Sequence, residues 1–441
     1  MMKTFSMGGI HPLDYKISKD KAIQSAKLPS EVSIFVSQHI GAPAQVLVKK
    51  GDTVVVGQPL AAASGFVSAP VHSSVSGTVS AVGLVADGGG VRKMAVTITT
   101  QDDVWDPAID RSTTLVEQCD LSGKQIIEKI AAAGIVGLGG ATFPCAVKLT
   151  PPPGKTADVL IINGVECEPF LTADERLMVE RTDEIIVGCR IIMKALGVTK
   201  CYIGIECNKP QAIALLGAKA TGGIEVVPLR MKYPQGGEKQ LIEAITGRQV
   251  PSGGLPIEVG AVVQNVGTVV AIYEAVQKNK PLFERVVTVT GVALSEPRNL
   301  LVRVGSSIAD LIAQCDGEPE NTGKVINGGP MMGRAMSNTA APVTKGTSGV
   351  LVVPREGAAR AEAGPCISCG RCVNVCPMGL EPYLLSKISK LALYERLEQE
   401  HITDCIECGS CAYTCPAALP LLDYIRLGKG ETMKLIRARR K

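Results

Sequence analysis

The chain has 441 residues, 46% of them hydrophobic and 3% aromatic, too long for one core, so three or four domains built from Val, Ile, Leu and Ala are expected. A formal charge of +4 gives no case for a nucleic-acid partner, and the terminal RARRK (437–441) reads as a solvated tail. The first thirty residues lack a basic region followed by an apolar core, and the most apolar long window, 259–276, is broken by Gln264, Asn265 and Thr268; neither a secretory signal nor a membrane span is expected, and the chain is read as cytoplasmic.

In chain order, an N-terminal arm (1–30) leads into 31–105. There VLVKKGDTVVVGQPLAA and VSAPVHSSVSGTVSAVG form two strand-rich halves punctuated by glycine turns. This resembles the barrel-sandwich fold of biotinyl and lipoyl carrier domains. The tip between the halves is Ser64, Gly65 and Phe66, without the lysine that carriers modify, so packing or interaction is the expected role. His39 and His72 read as hydrogen-bonded structural residues.

Residues 106–282 alternate helical segments (121–134, 182–197, 236–247) with buried strands (158–166, 200–206, 224–229), and 259–276 reads as strand plus helix. Such alternation predicts a Rossmann-like α/β domain with a largely parallel sheet. Its glycine run, GIVGLGGATFPCAVKL, follows a helical segment rather than a strand, so it is not the dinucleotide fingerprint. The next strand ends in NGVECEP, and strand ends of an open α/β sheet face the ligand crevice. Residues 283–337 give strands around one helix, a small β-grasp unit, followed by a strand-bearing connection at 338–362.

The last segment, 363–441, holds two runs of C-x2-C-x2-C-x3-C-P, with Cys366, Cys369, Cys372 and Cys376 in the first and Cys405, Cys408, Cys411 and Cys415 in the second. Three thiolates on one tight loop can meet three irons of a cube, and the fourth, after the longer gap, turns towards the other cube. Cys366, Cys369, Cys372 and Cys415 are therefore assigned to one 4Fe-4S cluster, and Cys405, Cys408, Cys411 and Cys376 to the second. Structural zinc would use four thiols of a knuckle pair and leave others over. Gly370 and Gly409 allow amides near sulfur. Leu384, Ile388 and Leu391 follow helical spacing between the runs, so a helical ferredoxin-type module is expected. The seven other cysteines read as packed thiols.

Four segments, 137–148, 163–169, YPQGGEKQL (233–241) and VVQNVGT (262–268), resemble the successive flavin-site segments of the NADH-oxidising, FMN-bearing subunit of respiratory complex I. With a carrier-like barrel before them, an SLBB-like β-grasp unit and two cluster motifs after them, and GGIHP (8–12) and QHIGAPA (38–44) besides, the whole chain resembles the C subunits of Rnf ion-translocating oxidoreductases. The resemblance implies that the backbone of Gly137, Gly139 and Gly140 lines FMN. Lys148 and Asn163 would contact its polar parts, and Glu166, Tyr233, Gly236 and Asn265 would complete the pocket. Phe143, Glu168 and Glu238 match positions that hold NADH. Leu138, Thr142, Val165 and Gly237 depart from the complex I pattern and remove charge near the dinucleotide.

The implied function is hydride exchange between NADH and FMN, then single-electron transfer through two 4Fe-4S clusters, in a peripheral subunit at the cytoplasmic face of a membrane ion-translocating ferredoxin:NAD oxidoreductase. Other subunits of that complex, some of them membrane-embedded, would be its partners. A cobalamin-reductase-like flavin and iron-sulfur enzyme and a non-catalytic electron relay are the alternatives. In the former family the glycine loop lies near the amino terminus, whereas here a barrel precedes it.

Overall fold

The computed structural model describes residues 2–439; Arg440 and Lys441 of the basic terminal run lie outside the described residues. The arm is mostly extended and forms one short strand, β1 (Ile23–Ser25). The barrel follows with β2 (Glu31–Phe35), β3 (Gln45–Val46), β4 (Thr53–Val54), β5 (Pro59–Ala62), β6 (Val71–His72), β7 (Gly77–Ala86) and β8 (Arg92–Thr100). These make two antiparallel sheets, β2-β8-β7-β4 and β3-β5-β6. Val32, Ile34, Val96 and Ile98, spaced by two along paired strands, turn to one face and close on Leu60, Val71 and Val79.

The central domain contains α1 (Gly123–Ala132), α2 (Cys145–Lys148), β9 (Val159–Asn163), α3 (Ala173–Glu180), α4 (Thr182–Leu196), β10 (Cys201–Glu206), α5 (Pro210–Lys219), β11 (Ile224–Leu229), α6 (Glu238–Thr246), β12 (Ala261–Asn265) and α7 (Val266–Lys278). Its sheet, β11-β10-β9-β12, is wholly parallel. Both faces are covered, which is why its strands read as unbroken apolar runs rather than alternations. The α4 side chains Ile185, Ile191 and Ile192 are fully or nearly fully buried in the larger core, each worth about 1.5–3 kcal/mol of apolar burial. Helices α4 and α7 touch through Gly188, where a Cβ would come within 2.6 Å of Val269.

The next unit holds β13 (Glu284–Thr290), β14 (Arg298–Arg303), α8 (Ile308–Ala313), β15 (Thr322–Asn327), β16 (Arg334–Met336) and β17 (Gly349–Pro354), and the short α9 (Arg355–Ala358) follows it. Its six-stranded sheet runs β1-β14-β13-β17-β15-β16. Two expectations change here. The segment 338–362 is no mere connection, because β17 sits inside the sheet, parallel to β13 and antiparallel to β15. The arm is likewise integrated, since β1 pairs with β14 as an edge strand.

The terminal module comprises α10 (Arg371–Asn374), α11 (Pro382–Lys390), α12 (Tyr394–Gln399), α13 (Ser410–Tyr413) and α14 (Leu421–Arg439). Leu385, Ile388, Leu397, Ile402, Leu421 and Ile425 form its core. Leu391, expected in the buried stripe, is instead 60% exposed just past the end of α11. Among the described residues no helix is long and apolar enough to cross a membrane.

Candidate functional site

The carboxyl ends of β9 and β12 lie side by side, with Asn163 and Asn265 in register. The loop of Gly137, Gly139 and Gly140 crosses in front of them. A Cβ on Gly139 would sit 2.9 Å from the Asn265 side chain, so the loop can lie this close only as glycine. A Cβ on Gly140 would meet nothing within 4 Å. Close backbone on one side and open space on the other make a cradle that suits a flat polar ring such as a flavin.

The polar side chains around this cradle largely bind one another. Asn163 Nδ2 donates to the Gly236 carbonyl at 2.9 Å, and its Oδ1 accepts from the Val165 amide, which ties the end of β9 to the turn before α6. Asn265 Oδ1 caps α7 through the amides of Gly267 and Thr268, while its Nδ2 donates to Asp174 at 2.7 Å. The Glu166 carboxylate accepts from the amides of Asp174 and Glu175 and so caps α3, with Glu166 itself in the left-handed region at φ 46°. Burial, reinforced by the neighbouring Glu166 charge, pushes the Asp174 carboxyl up to about 7. Lys148 and Glu238, expected on opposite ligands, form an ion pair at 2.5 Å, each of them about a third exposed. Phe143 is half-buried and its carbonyl accepts from the Gly137 amide, which closes the loop.

Two expected pocket residues face elsewhere. Tyr233 is buried, and its hydroxyl donates to the carbonyl of Cys408, 2.8 Å away in the second cluster loop. The Glu168 carboxylate accepts from the amides of Met332 at 2.7 Å and Met331 at 3.1 Å, in the turn between β15 and β16. Burial raises its pKa to about 7, against the pull of those two amides. Both side chains therefore bridge the central domain to its neighbours instead of lining the cradle. Arg426 of α14 extends the second bridge, donating to the Met332 carbonyl and to Glu407 between Cys405 and Cys408.

The sequence reading missed what holds the 164–171 loop. Lys16 of the arm donates to the carbonyls of Glu166, Glu168 and Leu171 at 2.8, 2.9 and 2.5 Å. Lys209, fully buried, donates to the Val165 carbonyl at 2.8 Å. Burial, then the Lys209 charge, lowers the Lys16 pKa. Beneath the glycine loop, buried Arg285 donates to the carbonyls of Leu138 and Lys345. A lysine spaced about 150 residues from its acceptors leaves no local pattern to find.

The two cysteine loops are conformational copies. Ser368 and Glu407, Gly370 and Gly409, and Gly379 and Ala418 each share a left-handed backbone at equivalent positions. Cys366, Cys369, Cys372 and Cys415 line one cavity of roughly 320 Å³, with three thiols from the first run and the fourth from the second. Cys376 lies close to Cys405, Cys408 and Cys411 of the other run. Among the described residues no three His, Cys, Asp or Glu side chains converge closely enough for a single metal ion. Thiols that frame a cavity instead of meeting at a point suit a cube with iron at its corners. Cys366 and Cys369 are exposed, whereas Cys376, Cys408 and Cys411 are buried, Cys408 against Tyr233 and Cys167 of the central domain and Cys411 in the module's own core.

Four family models match successive parts of the chain. The RnfC barrel sandwich hybrid domain family matches residues 3–103, the Nuo51 FMN-binding domain 130–274, the SLBB domain 286–335 and the 4Fe-4S dicluster domain 358–416. The C subunit of a proton-translocating ferredoxin:NAD(+) oxidoreductase complex from Clostridium ljungdahlii is 48% identical over 98% of this chain and 94% of its own length. The C subunit of the Na(+)-translocating ferredoxin:NAD(+) oxidoreductase complex from Acetobacterium woodii is 47% identical over 98% of each chain. A solved NAD+-reducing NiFe hydrogenase shares the fold at a TM-score of 0.51 and 19% identity, over 71% of this chain and 63% of that one. With near-complete coverage at such identity, the chain belongs to the family of C subunits of Rnf-type ion-translocating ferredoxin:NAD(+) oxidoreductase complexes.

Proposed function

We propose that this chain is the NADH-interacting electron-entry subunit of such a complex, peripheral to the membrane at its cytoplasmic face. FMN, when bound, turns a two-electron hydride transfer into single electrons that the 4Fe-4S clusters can carry. The glycine loop of Gly137, Gly139 and Gly140 would give the ring a close backbone wall, with Asn163, Asn265 and Gly236 holding that wall in shape. Lys148 would complement negative charge on the cofactor once its pair with Glu238 opens. Glu238 and Phe143, at the rim, are the residues best placed to meet the dinucleotide. Glu166 acts through α3, whose first turn it caps.

The observation that carries this reading is the bond from Tyr233 to Cys408, because the segment that closes the cradle is also the segment that touches a cluster loop. It further supports an order for the wire. The cluster of Cys405, Cys408, Cys411 and Cys376 would receive electrons first, and that of Cys366, Cys369, Cys372 and Cys415 would pass them on.

The test is anaerobic purification followed by addition of NADH. Bound FMN, eight irons per chain and bleaching of both chromophores support the reading. A protein with clusters but neither flavin nor NADH response would make it a relay.

A further inference from the structure

The wire needs an exit, and one face of the terminal module has the make-up of one. The cavity framed by Cys366, Cys369, Cys372 and Cys415 opens beside Ile367 and Tyr383, which are 64% and 42% exposed. Tyr383 stands in the first turn of α11. Residues four and seven apart share a helix face, so Lys387 and Lys390 continue the line from Tyr383, and Leu391 follows just past the helix end. All of these are exposed, as is Arg371 in the cluster loop itself. The face thus has an apolar centre and three cations, Arg371, Lys387 and Lys390, while Glu381 accepts a hydrogen bond from the Tyr383 hydroxyl.

The core of this module accounts for the opposite side of α11, where Leu385 and Ile388 pack on α14. Among the described residues, nothing of the chain's own covers Tyr383, Leu391 and Ile367. Apolar side chains at the mouth of a cluster site, ringed by cations, are what a brief electron-transfer encounter uses. The centre excludes water, and the rim steers an oppositely charged partner into place. Such encounters bury less than about 1,200 Å² in total, so a small patch is enough.

The geometry points to this face, Ile367, Arg371, Tyr383, Lys387, Lys390 and Leu391, as the docking surface for a one-electron redox protein that presents acidic side chains around its own centre. This rests on the wire reading proposed above, in which the exposed cluster is last. A lipid surface could also attract cations with apolar neighbours, but it accepts no electron, and the patch lies at the mouth of a cluster cavity. The step is a plain transfer of one electron from the reduced exposed cluster to the oxidised centre of the partner, with no bond or proton moved.

The experiment uses the full chain and the membrane complex purified from cells lacking it. Association is measured without NADH, for the wild type, for the double variant Lys387→Glu and Lys390→Glu, and for Leu391→Ser. Lys390 also lies 4.4 Å over the Tyr424 ring, so Lys390→Gln serves as the control for lost packing. The expected result is at least a tenfold weaker association of the charge-reversed variant at low salt. Wild-type binding should weaken as salt rises, Leu391→Ser should lower affinity with little change in salt slope, and Lys390→Gln should stay within a few-fold of wild type.

Equal binding of wild type and charge-reversed variant overturns the proposal. So does loss of binding to phosphatidylserine vesicles alone, with association to the complex intact, since that makes the face a lipid contact. In parallel, NADH bleaching of the isolated chain reads the wire itself. If wild type fails there, the electron-entry reading falls, while the association series still decides the docking surface.

Discussion

The hydroxyl of Tyr233 lies 2.8 Å from the carbonyl of Cys408, a single hydrogen bond that joins the turn before α6 to a cluster loop 175 residues further along the chain. Tyr233→Phe keeps the ring and removes this bond, at a cost of about 1 kcal/mol. Bleaching of the flavin by NADH should keep its rate, while cluster bleaching should slow a few-fold. Stopped-flow absorbance at two wavelengths separates the phases. Equal slowing of both would mean the bond supports the cradle rather than the transfer.

Removing the Glu168 carboxylate leaves two amides, of Met331 and Met332, without their acceptor at a largely buried site. Glu168→Ala should cost about 1–3 kcal/mol and lower the midpoint of thermal unfolding by several degrees. The KM for NADH should stay near that of wild type. A KM raised tenfold with unchanged stability would return Glu168 to the dinucleotide site.

Crosswise ligation separates two serine variants. Cys415→Ser should lose the cluster framed with Cys366, Cys369 and Cys372, leaving four irons and an intact second centre. Cys376→Ser should strip the buried cluster and destabilise the contact with the central domain as well. Iron analysis and electron paramagnetic resonance of the reduced protein distinguish this from ligation within each run, which predicts the opposite pairing.

Adjacent glycines differ in what they tolerate. Gly139→Ala forces a Cβ against Asn265, so loop and fold should both suffer. Gly140→Ala meets no protein atom and should leave stability within about 0.5 kcal/mol of wild type. Its FMN affinity should nonetheless fall if the ring lies over this loop, which fluorescence titration measures.

His72 is buried with its Nδ1 unpartnered, and burial followed by the Lys345 charge lowers its pKa to about 3. The unfolded chain binds a proton near pH 6.5 that the folded chain refuses, so stability is full above pH 6.5 and is lost as pH falls towards 3. The loss amounts to several kcal/mol. His72→Phe should flatten this acid limb in denaturant titrations between about pH 6.5 and 4.

The cluster module was legible in the sequence because its chemistry is local. Eight thiols at fixed spacing specify their own loops, and the left-handed positions repeat with them. The parallel sheet was legible for a similar reason, since strands buried on both faces are unbroken apolar runs. The 259–276 window resolved into β12 and α7, the strand and helix expected. What stayed hidden were the bonds that single side chains and strands make to partners far along the chain. Lys16 reaches Glu166, Tyr233 reaches Cys408, and β17 enters a sheet begun sixty-odd residues earlier, at β13. The cradle itself came through the matched segments rather than through periodicity, and its side chains proved to brace one another more than to project inwards.

The sheet takes β1 from the arm and β17 from just before the cluster module, so its strands come from both sides of the central domain in the chain. Residues 23–25 wait for partners at 299–301, and the sheet's centre is complete only once residue 354 has left the ribosome. Contacts of such separation fold slowly and leave strand edges bare in the meantime. A fragment cut to the central domain alone would lose Lys16, and with it the three bonds that shape the 164–171 loop. The nascent chain therefore cannot shape its electron-entry loop until the arm has docked on it, and cofactor loading is expected to follow that docking.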